Sequence, residues 1–172
     1  YVAANETGVL PSLETVREKL NTDSGGATEQ RTLPRATAEM ARRFNCVDGD
    51  QAAVFIALFN AARDYVEFAL SNGNEPIDYK PAAIMVLGPG GAGKSYVVKF
   101  VQQAVRELLG EEWIVVKMAF SGKAAQGLLG QTIHSYMGIG IDDGIKCPTN
   151  ITAERVKRQQ LVCLMILDET SM

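Results

Sequence analysis

The sequence predicts an α/β fold: a parallel sheet covered by helices on both faces, behind a helical amino-terminal region. Three observations point there. The runs "AAIMVL" (82–87), "WIVVKMAF" (113–120) and "LVCLMILD" (161–168) are short, apolar and partly β-branched, the texture of strands buried on both sides. Helical stretches separate them, as in β–α–β units rather than hairpins. The first run passes directly into "GPGGAGKS" (88–95) and then into "YVVKFVQQAVRELLG", which has helical periodicity.

In chain order, residues 1–10 show no period. "PSLETVREKL" (11–20) predicts a short amphipathic helix with Leu13, Val16 and Leu20 on one side. "NTDSGGATEQRT" (21–32) is polar and contains glycine, so it reads as a flexible linker. Pro34 suits the first turn of a helix, and "RATAEMARRF" follows with good helix formers. "VDGDQAAVFIALFNAARDYVEFALSNG" predicts a long helix with Val54, Leu58, Ala62, Tyr65, Val66 and Ala69 on one face, closed by Ser71-Asn72-Gly73. The expected division is a helical and flexible region over 1–47 and an α/β domain over 48–172.

With 47% hydrophobic and 22% charged residues in 172, the chain has an ordinary globular composition and enough length for a core. No apolar run approaches the roughly 18–20 residues of a membrane helix; the longest helical candidate is interrupted by Asn60, Arg63, Asp64 and Glu67. No leader or transit pattern stands at the start, although the chain begins at Tyr1 and a targeting peptide ahead of it stays open. Cys46, Cys147 and Cys163 lack metal-ligand spacing and leave one thiol over in any pairing. Cys163, in an apolar run, reads as a small buried hydrophobe. A reducing, intracellular compartment fits best: nucleus or mitochondrion in a eukaryote, cytoplasm otherwise. The net charge of −3 argues against coating nucleic acid by bulk positive charge. Residues 1–80 carry 8 Lys/Arg against 12 Asp/Glu and residues 81–172 carry 9 against 8, which leaves room for a local basic groove in the second half.

"GPGGAGKS" matches G-x-x-x-x-G-K-[ST] in a strand–loop–helix setting. Gly88, Pro89, Gly90, Gly91, Ala92 and Gly93 would form the cradle, with Tyr96 just beyond it. Few β-carbons let backbone N–H groups turn toward phosphate oxygens, and the helix start adds its partial positive charge. Lys94 would reach the outer phosphates and Ser95 would offer its hydroxyl to Mg²⁺. The rival reading, a glycine-rich turn with a chance Lys-Ser, does not account for the flanking strand and helix.

About 75 residues on, "LVCLMILDETSM" puts Asp168 and Glu169 at the end of an apolar run, where parallel sheets bind ligands. Asp168 is placed to hold Mg²⁺ and Glu169 to deprotonate a water attacking a γ-phosphoryl group. A lone Asp-Glu is usually a solvated strand end; the loop upstream favours catalysis. The Asp-Glu order points to ATP hydrolysis rather than a GTP switch, and no N-K-x-D guanine reader is present.

Between these motifs, "MAFSGKAAQGLLGQTIHSYMGIG" (118–140) closely resembles the corresponding segment of the Pif/RecD-like superfamily-one DNA helicases, Helitron-type members included. The loop and "LDETSM" resemble that family's first and second motifs, so the resemblance covers about 48–172. It implies a RecA-like domain and an ATP- and Mg²⁺-dependent motor moving 5′→3′ on single-stranded DNA. It also implies opening of duplex or forked DNA in repair, recombination or genome maintenance. It further implies DNA-backbone contacts at Ser121, Gly122, Thr132, His134 and Ser135, and an adenine-reading role for Gln51. Small residues and hydroxyls at helix starts can meet phosphates without reading bases, which a motor needs.

Competing readings stand beside several of these. Asp48 with Gln51 also fits a capping box. His134, the only histidine, also fits a helix-start organiser. Tyr136 and Phe120 read as core before stacking platform, and the Arg155–Arg158 cluster as a solvated helix face. The chain stops at Met172, before the second RecA-like domain and arginines the resemblance implies. It is therefore expected to be the first part of a helicase, binding ATP·Mg²⁺ weakly with little hydrolysis and no unwinding, and monomeric. Two other functions compete with this one: another ATPase, such as an AAA-type loader or partition protein, and a nucleotide- or DNA-binding remnant without turnover.

Overall fold

The computed structural model describes residues 11–23, 33–71, 79–139 and 152–168. Its elements are α1 (Leu13–Asp23), α2 (Ala38–Arg43), α3 (Gly49–Leu70), α4 (Lys94–Leu108), β1 (Ile114–Ala119), α5 (Gly122–Gly127), β2 (Gln131–Thr132), α6 (Ile133–Met137), α7 (Ala153–Gln160) and β3 (Val162–Asp168). The architecture is α/β, with a three-stranded parallel sheet in the order β2-β1-β3 and helices packed against it.

The amino-terminal helices are held by contacts distant in sequence. Ser12 Oγ accepts from the Thr15 N–H to start α1, and the Arg17 guanidinium donates to the Ala69 carbonyl at the end of α3. The positive group thus meets the negative end of that helix. α1 runs on through Asp23, so the first three residues of the expected linker are helical. The remainder of that linker lies outside the described residues. The second helix starts at Ala38 with Thr37 as its cap, not at Pro34. Residues 33–36 are drawn out along α3 instead: Leu33 O accepts from Arg63 Nε at 3.0 Å and the Ala36 N–H donates to Asn60 Oδ1 at 2.9 Å.

α3 forms as the periodicity predicts, but its inward stripe is Phe55, Leu58, Phe59, Ala62, Val66 and Ala69. Val54 and Tyr65 sit at its flanks, half-buried. Phe44, Phe55 and Phe59 stack in a row, with centroids 5.6 and 6.1 Å apart. Arg63 is also buried on this helix, bonded to Leu33 O and to the carboxylates of Asp64 and Glu67. Its charge is tolerable because every side of the guanidinium that leaves water finds an acceptor.

β1 is the central strand and is buried on both faces except at Lys117. β3 pairs with it along its length, from Val162 opposite Ile114 to Asp168 opposite Ala119. From Leu164 onward β3 alternates, with Leu164 and Ile166 against the core and Met165 and Leu167 half-exposed. Among the described residues the sheet is therefore covered on one face there, not on both. Burial pushes the Cys163 thiol up to about 12, so at neutral pH it stays protonated and behaves as the small hydrophobe expected.

One predicted strand is absent. Residues 82–87 form no ladder among the described residues, and Ile84, Met85 and Leu87 are exposed. An apolar β-branched run is competent to be a strand, but only a partner's N–H and C=O groups make it one.

Candidate functional site

The loop of residues 88–93 enters α4 through Gly93, which has φ 82° and supplies no side-chain cap to the helix. The first N–H groups of α4 are thus left for an outside acceptor. The Lys94 ammonium turns back over the loop and donates to Gly88 O at 2.8 Å and Pro89 O at 3.1 Å. Ser95 follows in the first turn and is exposed. Tyr96 is half-exposed, edge-on to Phe100 at 4.7 Å.

Gln51 is brought to this loop from the first turn of α3. A β-carbon built on Gly93 would stand 2.7 Å from Gln51 Nε2, so the Gln51 amide lies against this position, where the left-handed backbone disfavours any side chain. The helix cap here is a bond from the Asp50 N–H to Asp48 Oδ1. Backbone donors and a cation together at an uncapped helix start fit a polyphosphate.

Asp168 ends β3. Its register partner on β1 is Ala119, which also faces Thr132 of β2. Asp168, Ala119 and Thr132 thus form one row across the carboxyl end of the sheet, with the outer two about 10 Å apart at the usual strand spacing. Ser121 and Gly122 follow Ala119 at the same end. The 88–95 loop reaches the core through α4 and Gln51 instead of through a paired strand. Glu169 lies outside the described residues.

Ser121 and Thr132 are both helix caps. Ser121 Oγ accepts from the Ala124 N–H and Thr132 Oγ1 from the Ser135 N–H. A groove of about 530 Å³ opens between α5 and α6, bordered by Gly122, Thr132 and Ser135. It gathers three of the five residues expected at the DNA backbone; Ser121 and His134 are not on its wall. His134, in the first turn of α6, stands edge-on to Phe120 at 6.1 Å. Phe120 is 54% exposed, a correction to its expected place in the core. Tyr136 does pack against the core.

Arg155 is another correction. The expected solvated face does hold for Lys157 and Arg158, which are exposed. Arg155 instead crosses to α6 and donates to Tyr136 O at 3.0 Å and Met137 O at 2.7 Å. It closes the helix that carries His134 and Ser135, beside Gly138 in its left-handed turn. Nothing in "RVKR" itself signals this partner. Arg155→Met should cost about 1 kcal/mol and speed hydrogen exchange at the amides of residues 137–139. Unchanged protection there would show that α6 does not depend on the arginine.

Together, the fold and the loop define a class: α/β proteins with a glycine-rich loop opening a helix beside a parallel sheet. A family model, PIF1-like helicase, matches residues 72–172, more than half of the chain, and the chain belongs to that family. Membership carries helicase activity in general, and with it the use of a nucleotide and of nucleic acid. Comparison with curated proteins and with solved structures finds no match. Among the described residues no helix is long and apolar enough to cross a membrane.

Proposed function

We propose that the chain is the first RecA-like, nucleotide-hydrolysing part of an ATP-dependent DNA helicase that travels 5′→3′ along single-stranded DNA and opens duplexes. The observation that carries this is the loop itself: an uncapped helix start, a left-handed Gly93 and the Lys94 ammonium stand together, with the Gln51 amide against Gly93. RecA-like architecture is supported by the parallel order β2-β1-β3.

In this reading Lys94 exchanges its two loop carbonyls for the outer phosphate oxygens of ATP. The N–H groups at the start of α4 hold the inner ones. The Ser95 hydroxyl and the Asp168 carboxylate are the groups that would hold Mg²⁺, which when bound offsets charge on the phosphates. Glu169 takes the proton of a water whose oxygen attacks the γ-phosphorus, and ADP departs with the electrons of the broken P–O bond. Gln51 reads the adenine. Ser121, Gly122, Thr132, His134 and Ser135 touch the DNA backbone at the sheet end that also carries Asp168. Through that shared end, strand occupancy is felt at the hydrolytic site.

ATP hydrolysis by the full-length protein, measured with and without single-stranded DNA, tests the proposal. Stimulation of about tenfold or more by DNA, and preference for ATP over GTP that Gln51→Ala weakens, are the expected results. Hydrolysis indifferent to DNA would return the chain to the loader and partition ATPases.

A further inference from the structure

β2 pairs only with Met118 and Ala119, so among the described residues the earlier part of β1, on the side away from β3, has no strand beside it. A cleft of about 250 Å³ lies there. Three cations line it from three different elements, Arg106 of α4, Lys117 of β1 and Arg158 of α7, against the single carboxylate of Glu111. Its wall includes Trp113, whose buried Nε1 has no hydrogen-bond partner among the described residues.

Lys117 is the informative member. It is the one half-buried position in an otherwise buried strand. Burial, and then the neighbouring Arg106 guanidinium, hold its ammonium below the usual lysine range. A strand position that packs a cation beside another cation costs stability, and an apolar residue there would remove the cost. An anion in the cleft would offset both the desolvation and the repulsion.

Residues 129–131 supply the choice of anion. They border this cleft and also the groove between α5 and α6, so the two concavities adjoin at these residues. At the crest Leu129 is 83% exposed and held at φ 53°, an apolar shoulder of the kind on which a base can rest.

We propose that the cleft of Arg106, Lys117 and Arg158 is a second nucleic-acid site. It takes the phosphodiester backbone of a single strand that leaves the α5–α6 groove and crosses residues 129–131. The inference rests on the nucleic-acid reading of that groove. The cations meet phosphates without reading bases, which suits a sequence-indifferent track. The cleft also lies at the opening end of β1, away from Asp168, so it lengthens the strand footprint without touching the hydrolytic groups.

Fluorescence anisotropy of the 172-residue chain with oligothymidylates of about 4 and about 12 nucleotides separates the two parts of the track. Arg158→Gln removes an exposed side chain. Lys117→Met replaces the half-buried one at similar volume and should leave the melting temperature equal or higher. In the doubly substituted chain the longer strand should bind about fivefold to tenfold more weakly, with a salt slope lower by about 0.7 for each phosphate that is no longer neutralised. The shorter strand should bind as before. If the unsubstituted chain binds both lengths and the substitutions change neither affinity nor slope, the cleft is no nucleic-acid site, while the groove reading survives. If the unsubstituted chain binds neither length, both readings fall together.

Discussion

Lys94→Ala should reduce ATP turnover of the full-length protein by about three orders of magnitude, or below detection, while single-stranded DNA binding stays measurable. The Lys94 ammonium makes its hydrogen bonds to the loop, at Gly88 O and Pro89 O. Removing it takes away the loop's cation and those two bonds while the N–H groups at the α4 start and the left-handed Gly93 remain. The expected groups for DNA lie elsewhere, on α5 and α6. Lys94→Arg is a useful companion: it keeps the charge, but a planar fork replaces a compact point charge, and most of the activity should still be lost. Turnover within about threefold of the unsubstituted protein for Lys94→Ala would remove the loop from the catalytic machinery.

Phe55→Ala is the second large effect, and it bears on folding rather than chemistry. The ring is fully buried and is the middle member of the Phe44–Phe55–Phe59 stack. Truncation opens a cavity between α3 and the segment after α2 and breaks the stack on both sides. The cost expected for such a change is about 3–5 kcal/mol, a large share of the stability of a domain this size. The melting temperature should fall by roughly 10 °C or more, and Phe55→Leu should recover more than half of the loss. A drop of less than about 1 kcal/mol for Phe55→Ala would mean that the site collapses freely, and that the stack does not anchor the amino-terminal helices. Gln51 stands one turn ahead of Phe55 on the same helix. A loosened α3 should therefore also weaken nucleotide binding, a coupling that a purely peripheral α3 would not show.

Legibility in the sequence followed the range of the forces involved. Helix starts at Ser121 and Thr132 need only a hydroxyl and an N–H three residues on, so hydroxyl residues at such starts stand out along one segment. The long period of α3 and the apolar runs of β1 and β3 were legible for the same reason: burial stripes are written along one segment. The exposure of Phe120, the burial of Arg63 and the reach of Arg155 to α6 were not. In each case the deciding partner is a residue or an opening contributed by another part of the fold. Gln51 was singled out by likeness to a family motif, and its place against Gly93, 42 positions away, is a tertiary fact.

By itself the sequence determined the glycine-rich turn into α4, the identity of Lys94, Ser95 and Asp168, and which segments have the periodicity to be buried. Backbone freedom, side-chain chemistry and amphipathic spacing are all local properties. Only the tertiary structure decided that, among the described residues, 82–87 form no ladder and β1 keeps an open flank beside Lys117, and that two concavities adjoin at residues 129–131. Strand pairing and clefts are made by residues far apart in the chain, and no single segment encodes the partner that completes it.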